Sequence, residues 1–353
     1  MAHRVLTSAA VVAALWTGPA MAAAQGAEPA TPPARRGQGS PLDALPPEIE
    51  LLTRFGERAD FSPDGRRVAF MAKSFGDAFV IDLATRAIRC LTCNVPGTAF
   101  LRVMHLPSAD FLLIGPERFV DLGRSRGRDN ELWFLSRKPG SRPRKLGQRM
   151  SEGAAVSKRS TKVAFAVGHG QDDAIPEGQT RLVVADLDPS GEKPTLRGQR
   201  VVFTSDGPGC SLEAQDFFDD DRKLTYTCYE PEGRASVWTI DLATGERVNQ
   251  SSAIGFYNEV EGVFPDGRHA CVESDHQARA YGDEAGFRNI DIWKLRLDGT
   301  GRSFERLTTF NDHEGWKASN PVVATDGRFM AFQVARTTDE AGVGYGILLM
   351  RFD

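Results

Sequence analysis

Charge of one sign is what this sequence most plainly lacks. Lys and Arg total 43 and Asp and Glu 47, a net charge of −4 over 353 residues. A chain without a basic excess carries no electrostatic footprint for nucleic acid or for an anionic membrane surface. Histidine is scarce, at six residues, and no His-Glu-x-x-His occurs, which excludes a helical zinc-protease site. Cysteine is scarce too: Cys90, Cys93, Cys210, Cys228 and Cys271. The pair in Cys90-Leu91-Thr92-Cys93 has no second pair at metal spacing, and a structural zinc site needs four ligands. Beyond the N-terminus no apolar run reaches the roughly 20 residues that span a bilayer.

The one apolar run, Val5 to Trp16, follows His3 and Arg4 and leads to Ala20-Met21-Ala22. A basic start, an apolar stretch and an A-x-A site read as a secretory signal over residues 1–22. The expected location is therefore periplasmic or secreted. Residues 23–46 are rich in Ala, Pro and Gly with almost no large apolar side chain. They bury too little to offset their ordering entropy, so a flexible lead is expected. Export permits disulfides. Cys90–Cys93 is expected as a strand-end disulfide, Cys210–Cys228 is a further candidate, and Cys271 is expected as a buried thiol.

What is abundant is self-similarity. Phe61-Ser62-Pro63-Asp64-Gly65-Arg66-Arg67-Val68-Ala69-Phe70 spells a strand, a tight turn and a strand. In such a turn Pro presets φ and Gly takes the positive φ. The unit returns at Val263–Ala270 and Val323–Phe332. Degenerate copies run Val156 to Phe165 and Phe217 to Tyr226, and a poor copy centres on Met104 and Phe111. Each unit precedes a third apolar strand: 78–82, 131–135, 181–185, 237–241, 290–295 and 346–350. Five of these lead to a fourth strand ending near Leu-Thr or a relative, as in Leu91-Thr92 and Leu307-Thr308. The sixth fourth strand is missing after residue 350, but Ile49-Glu50-Leu51-Leu52-Thr53 carries the same ending. A fourth strand supplied from the N-terminus closes a ring and removes its open edge. The expectation is an all-β chain: a six-bladed β-propeller of four-stranded antiparallel blades over residues 47–353, closed by the N-terminal strand.

The Phe61–Phe70 unit, followed by Asp82-Leu83-Ala84-Thr85 and Leu91-Thr92, resembles the repeat of TolB-like propellers. That resemblance implies an exported propeller; the lead is too short for the N-terminal α/β domain of TolB itself. Similar repeats occur in oligogalacturonate lyases and in the propellers of prolyl-oligopeptidase-type peptidases. The lyase resemblance implies a histidine-bound metal in the channel, for which His276 and His313 would be the candidates. No hydrolase domain and no G-x-S-x-G nucleophile elbow are read in the chain.

Four residues before the matched core position stand Glu57, Glu152, Glu213 and Glu259, with Phe100 and Ser319 in the other two units. If those positions face the channel, they form an acidic ring. Such a ring suits a hard divalent cation such as Ca²⁺ or Mg²⁺. The competing reading is that each glutamate pairs with an arginine or caps a turn. Blades five and six concentrate polar chemistry. Asn258, Glu259 and Glu261 enter one first strand. His313, Glu314, Trp316, Lys317 and Asn320 enter the next, and Asp275 and His276 leave a second strand. Trp316 could stack on a sugar ring, a glutamate could act as acid or base, and Lys317 could neutralise an anion. Asp219-Asp220-Asp221 and the basic run Leu122–Arg128 read as solvated loops. No catalytic motif is assigned. The expected function is a monomeric binding module whose channel face takes a protein partner or a small ligand, without nucleic acid or a membrane span. The alternative is a carbohydrate-active lyase or hydrolase with its site on blades five and six, metal-assisted or not.

Overall fold

The computed structural model describes residues 33–97, 99–252, 257–284, 286–339 and 343–352. Twenty-four strands form six separate four-stranded antiparallel sheets. The first strands of the six blades are Glu57–Phe61, Arg102–His105, Ala154–Val156, Ser211–Phe218, Asn258–Val263 and Trp316–Val323. Every expected third strand is present, in two cases to the residue: Ala78–Asp82 and Glu131–Leu135. The N-terminal strand Ile49–Leu51 completes the sixth blade, with Ile49 opposite Met350. The ring is thus closed by the first strand of the chain.

The repeated letters have repeated jobs. Asp64, Asp266 and Asp326 each accept a hydrogen bond from the backbone N–H two residues on, and Gly65, Gly267 and Gly327 take positive φ. Asp82 and Asp241 accept from the N–H groups two and three residues on, those of the Ala and Thr of their Asp-Leu-Ala-Thr turns. The hydroxyl at the end of the fourth strand is buried and accepts from a third-strand N–H. The pairs are Thr92 with Ala78, Ser205 with Thr180, Ser251 with Val237, Thr308 with Ile292, and Thr53 with Ile347. An unpaired buried N–H is costly, so this explains why Leu-Thr endings recur.

Apolar packing runs between blades. Six clusters fill the six seams. The closing seam sets Phe61, Val68, Phe70 and Ile81 of the first blade against Ala324, Ala331, Ile347 and Leu349 of the sixth. Burying one large apolar side chain contributes about 1.5–3 kcal/mol.

Cys90–Cys93 and Cys210–Cys228 are both disulfides and Cys271 is a buried thiol. Residues 34–46 depart from the flexible lead expected for 23–46. Ala34 donates to the Ala280 carbonyl and Gly37 to that of Asp312, while Glu314 donates back to Gly37. Arg36 lies over the Tyr281 ring and bonds Asn311 and Asp283. Backbone pairing, one arginine and the packing of Leu42 and Leu45 on the core of blades five and six hold this segment. The signal assigned to 1–22 lies outside the described residues. No helix among the described residues is long and apolar enough to cross a membrane.

Candidate functional site in the central channel

The first strands carry bulges where they pass the channel. Register shifts interrupt pairing between Glu57 and Asp60, Ala214 and Asp216, Val260 and Gly262, and Ser319 and Val322. A bulge re-aims the side chain it carries. Here Arg58, Gln215, Glu261 and Asn320 are turned to the channel. Arg58 and Asn320 adopt left-handed backbone, with φ of 53° and 48°.

The channel holds two cavities. One, of about 750 Å³, opens among the hairpin tips and is lined by Asp60, Lys158, Asp216, Asp219–Asp221 and Glu261. Asp60 accepts from Lys158 at 2.8 Å and from the His105 backbone at 2.6 Å. Burial opposes its charge, but Lys158 and His105 outweigh burial and hold the carboxyl below its usual range. The other cavity, of about 330 Å³, lies where the first strands begin. Arg58, Arg102 and Asn320 line both.

The smaller cavity is lined by Glu57, Glu152, Glu213 and Glu259 together, with Glu273, Tyr229, Tyr257 and Lys317. The alignment of the repeats therefore selects four channel-facing positions. Each of these glutamates has protein partners. Ser74 donates to Glu57 at 2.5 Å, with Arg58 at 3.6 Å. Arg126 pairs with Glu152 at 2.6 Å. Arg102 lies 3.3 Å from Glu213 and 3.5 Å from Glu261. Tyr257 donates to Glu259, and the Tyr229 hydroxyl contacts both Glu213, at 2.9 Å, and Glu259. Among the described residues, the one group of three acidic or cysteine side chains with ligand atoms within 4.8 Å of one another lies elsewhere. The four glutamates as placed do not close on one ion.

One proton cannot serve both contacts of Tyr229. A phenol has a single O–H, so both contacts are hydrogen bonds only when one carboxyl is protonated. Burial agrees with this. It pushes Glu213 up to about 7 against the pull of Arg102, with Glu259 and Glu152 adding to the rise. It pushes Glu259 up to about 7 with help from Glu261, against Tyr229 and Tyr257. Glu273 is raised well above the ordinary range by burial and by Glu259 and Glu261. Burial lowers Lys317, and Glu273 opposes that shift. The cluster can hold a shared proton near neutral pH, which is the chemistry of a general acid or base.

Of the residues expected on blades five and six, Glu259, Glu261, Lys317 and Asn320 meet in the channel. Asn320 donates to Glu261 at 2.9 Å and to Glu273 through its backbone. The others do not line it. Asn258 accepts from Ser274 within the blade. Asp275 is buried and accepts from Gly286. His276 packs against Trp293 and Phe304. His313 bridges to Gly37, and Glu314 is exposed beside it. Trp316 is buried in the sixth-blade core under the Arg336 guanidinium. Sequence reasoning did not single out Arg58, Arg102 or Tyr229, and it placed Tyr257 and Glu273 in the polar segments of blade five without giving them a role. A bulge has no spelling, and the two tyrosines enter from neighbouring elements. The basic run 122–128 supplies Arg126 to the cavity. It also spells Gly-x-Ser-x-Gly at 123–127. Its Ser125 is fully buried on a connection between two antiparallel strands, not at the strand-to-helix turn of a nucleophile elbow.

The geometry defines a six-bladed β-propeller with a carboxyl-rich channel. No family model matches the chain, and no curated protein matches it. Solved structures do. A putative TolB from Agrobacterium tumefaciens is 15% identical, over 77% of this chain and 96% of that one, with a TM-score of 0.50. A gluconolactonase from Xanthomonas campestris is 11% identical, over 93% and 99%, at 0.53. Regucalcin, a calcium-binding protein from Agrobacterium tumefaciens, is 11% identical, over 90% and 94%, at 0.51. The TolB likeness is therefore one of fold.

Proposed function

We propose that the protein is an exported binding module that works through the channel face bearing the smaller cavity. The face takes a small polar ligand, or a polar side chain of a protein partner, against the Glu213–Tyr229–Glu259 cluster. The observation that carries this reading is the contrast at that mouth. Seven large apolar residues are exposed among those described, and Phe55, Phe119, Val120, Phe287 and Val343 are five of them. All five lie on loops at the end where first strands begin; Ile88 and Val201 lie on outer strands. Of the five, Phe287 and Val343 line the smaller cavity, and apolar groups beside buried polar ones are the usual build of a recognition site. The test is thermal melting against amines, sugars, sugar acids and short peptides, with Ca²⁺ and Mg²⁺ added back after EDTA. A ligand of the native state raises Tm by mass action. The rise should vanish in Glu259→Gln and shrink in Phe287→Ser. An equal rise in both variants would place binding elsewhere.

A second reading has one observation in its favour. Glu213 and Glu259 are held near 7, where a carboxyl serves acid–base catalysis at neutral pH. Lyase or hydrolase turnover of an oligosaccharide that is lost in Glu259→Gln would move the protein to that class.

A further inference from the structure

Every acid that lines the smaller cavity already has a donor. Ser74 serves Glu57, Arg126 serves Glu152 and Tyr257 serves Glu259. Arg102 and Tyr229 lie against Glu213. The Asn320 backbone N–H donates to Glu273 at 2.5 Å, and the Tyr345 hydroxyl donates to Asp339. These six acids share the wall with five basic side chains, of which Arg102 and Arg126 are the paired ones.

The other three basic groups have donors left over. Arg58 is 7% exposed and its side chain makes no hydrogen bond; Glu57 Oε1 lies 3.6 Å from its Nε. The bulge holds it at the channel, with its backbone N–H bonded to Gln333 Oε1 at 2.8 Å. Lys317 has three N–H donors. One goes to the Phe287 carbonyl at 2.9 Å, and the amine forms no ion pair among the described residues. Arg336 lies 3.7 Å from the centre of the Trp316 ring and likewise pairs with no described carboxylate. Polar groups out of bulk water need partners. The donors left over in this wall therefore call for a ligand rich in acceptors.

The charge balance agrees. Glu213 faces Arg102, Glu152 and Glu259, while Glu259 faces Glu261 and Arg102 beside the two tyrosines. Burial and these neighbouring acids favour the protonated forms of Glu213, Glu259 and Glu273. At pH 6 the four arginines alone then outnumber the acids that stay charged. Lys317 adds to them where it is protonated: Glu273, Glu259 and Asp339 favour its charge, and burial and Arg288 oppose it.

We propose that the ligand of this cavity is a small organic carboxylate, held by Arg58 and Lys317 with Arg336 in the same wall. Guanidinium and ammonium groups bind carboxylate oxygens through charge-assisted hydrogen bonds. At about 330 Å³ the cavity is at the small end for ligand sites, which fits a compact acid. An anion beside Glu213 and Glu259 favours their protonated forms further, so it enters together with a proton from solvent. The inference names the ligand class for the channel reading and rests on it. It differs from the divalent cation that a repeat of glutamates suggests.

The test is titration calorimetry of the whole chain with lactate and succinate, and with putrescine and Mg²⁺ as cationic probes. At pH 6 a carboxylate should bind and the cations should not. Lactate stays ionised above about pH 5, so its pH dependence reports the protein. Its affinity should fall about tenfold from pH 6 to pH 8 as the linked proton is lost. Arg58→Gln should weaken binding by at least about tenfold. Arg58 sits on left-handed backbone, so Lys317→Met is the second variant, with the same direction expected. The proposal falls if neither carboxylate binds. A melting rise with sugars or amines that is lost in Glu259→Gln would then leave the channel site standing with another ligand class. It falls equally if carboxylate binding is unchanged in both variants, or if lactate affinity holds steady or rises towards pH 8.

Discussion

The hydroxyl of Tyr229, on the fourth blade, reaches across the seam to the carboxyl of Glu259 on the fifth. The same hydroxyl contacts Glu213 of its own blade. One phenol thus ties two buried acids from two blades into one titrating unit.

Removing that hydroxyl should expose the coupling. The single O–H of Tyr229 lowers whichever of the two carboxylates it is donated to. Tyr229→Phe should therefore raise the titration of Glu213 and Glu259 further. It should cost about 1–3 kcal/mol if a buried acceptor loses its donor. Carboxyl ¹³C shifts followed by NMR against pH would check it. Unmoved titrations would mean that the hydroxyl does not hold the pair.

The pH dependence of stability has a definite sign. Glu213 and Glu259 lie near 4.5 ordinarily and about 7 in the fold. Between those values the folded chain holds more protons than the unfolded one. Their contribution is full below about 4.5 and lost as pH rises through about 7. Burial also raises Asp216 and Asp291 to about 6, which adds in the same direction. Denaturation midpoints should fall from pH 5 to pH 8, and Glu259→Gln should flatten part of that slope. A wild-type midpoint that climbs over this range would contradict the assignment.

Arg102 is the cation these acids share. Glu213 and Glu261 flank it, and they raise its own affinity for the proton although burial opposes that. Breaking a buried ion pair from one side costs about 3–5 kcal/mol. Arg102→Met should lose stability on that order at pH 8. The loss should be smaller at pH 5, where the acids protonate. Urea denaturation at both pH values separates the outcomes, and a pH-independent cost would point to lost packing instead.

Ring closure can be tested at the N-terminus. A chain beginning at Arg54 lacks Ile49–Leu51 and leaves Ile347–Arg351 as an open edge. Open edges recruit other strands. Lower Tm and self-association on size exclusion are expected. A monomer of unchanged Tm would show that the seam between blades one and six suffices.

The blade plan was legible in the residues because it rests on local chemistry. Pro-Asp-Gly and Asp-Leu-Ala-Thr turns need particular side chains at particular steps, and strands alternate with period two. Counting those units predicts six blades and a closing strand over Ile49–Thr53, of which Ile49–Leu51 pairs with the sixth blade. Equivalent repeat positions share a place around the axis, so the spacing of Glu57, Glu152, Glu213 and Glu259 also identified a common cavity. What surrounds those carboxyls was decided only in three dimensions. Arg102 comes from a blade whose repeat is poor. Arg58 and Asn320 face the channel through bulges that shift the register. Tyr229 and Tyr257 arrive beside the acids at the ends of strands. Turn preferences act over a few residues, whereas burial and charge pairing sum over neighbours far apart in the chain. The first are written in the sequence, and the second exist only after the ring has closed.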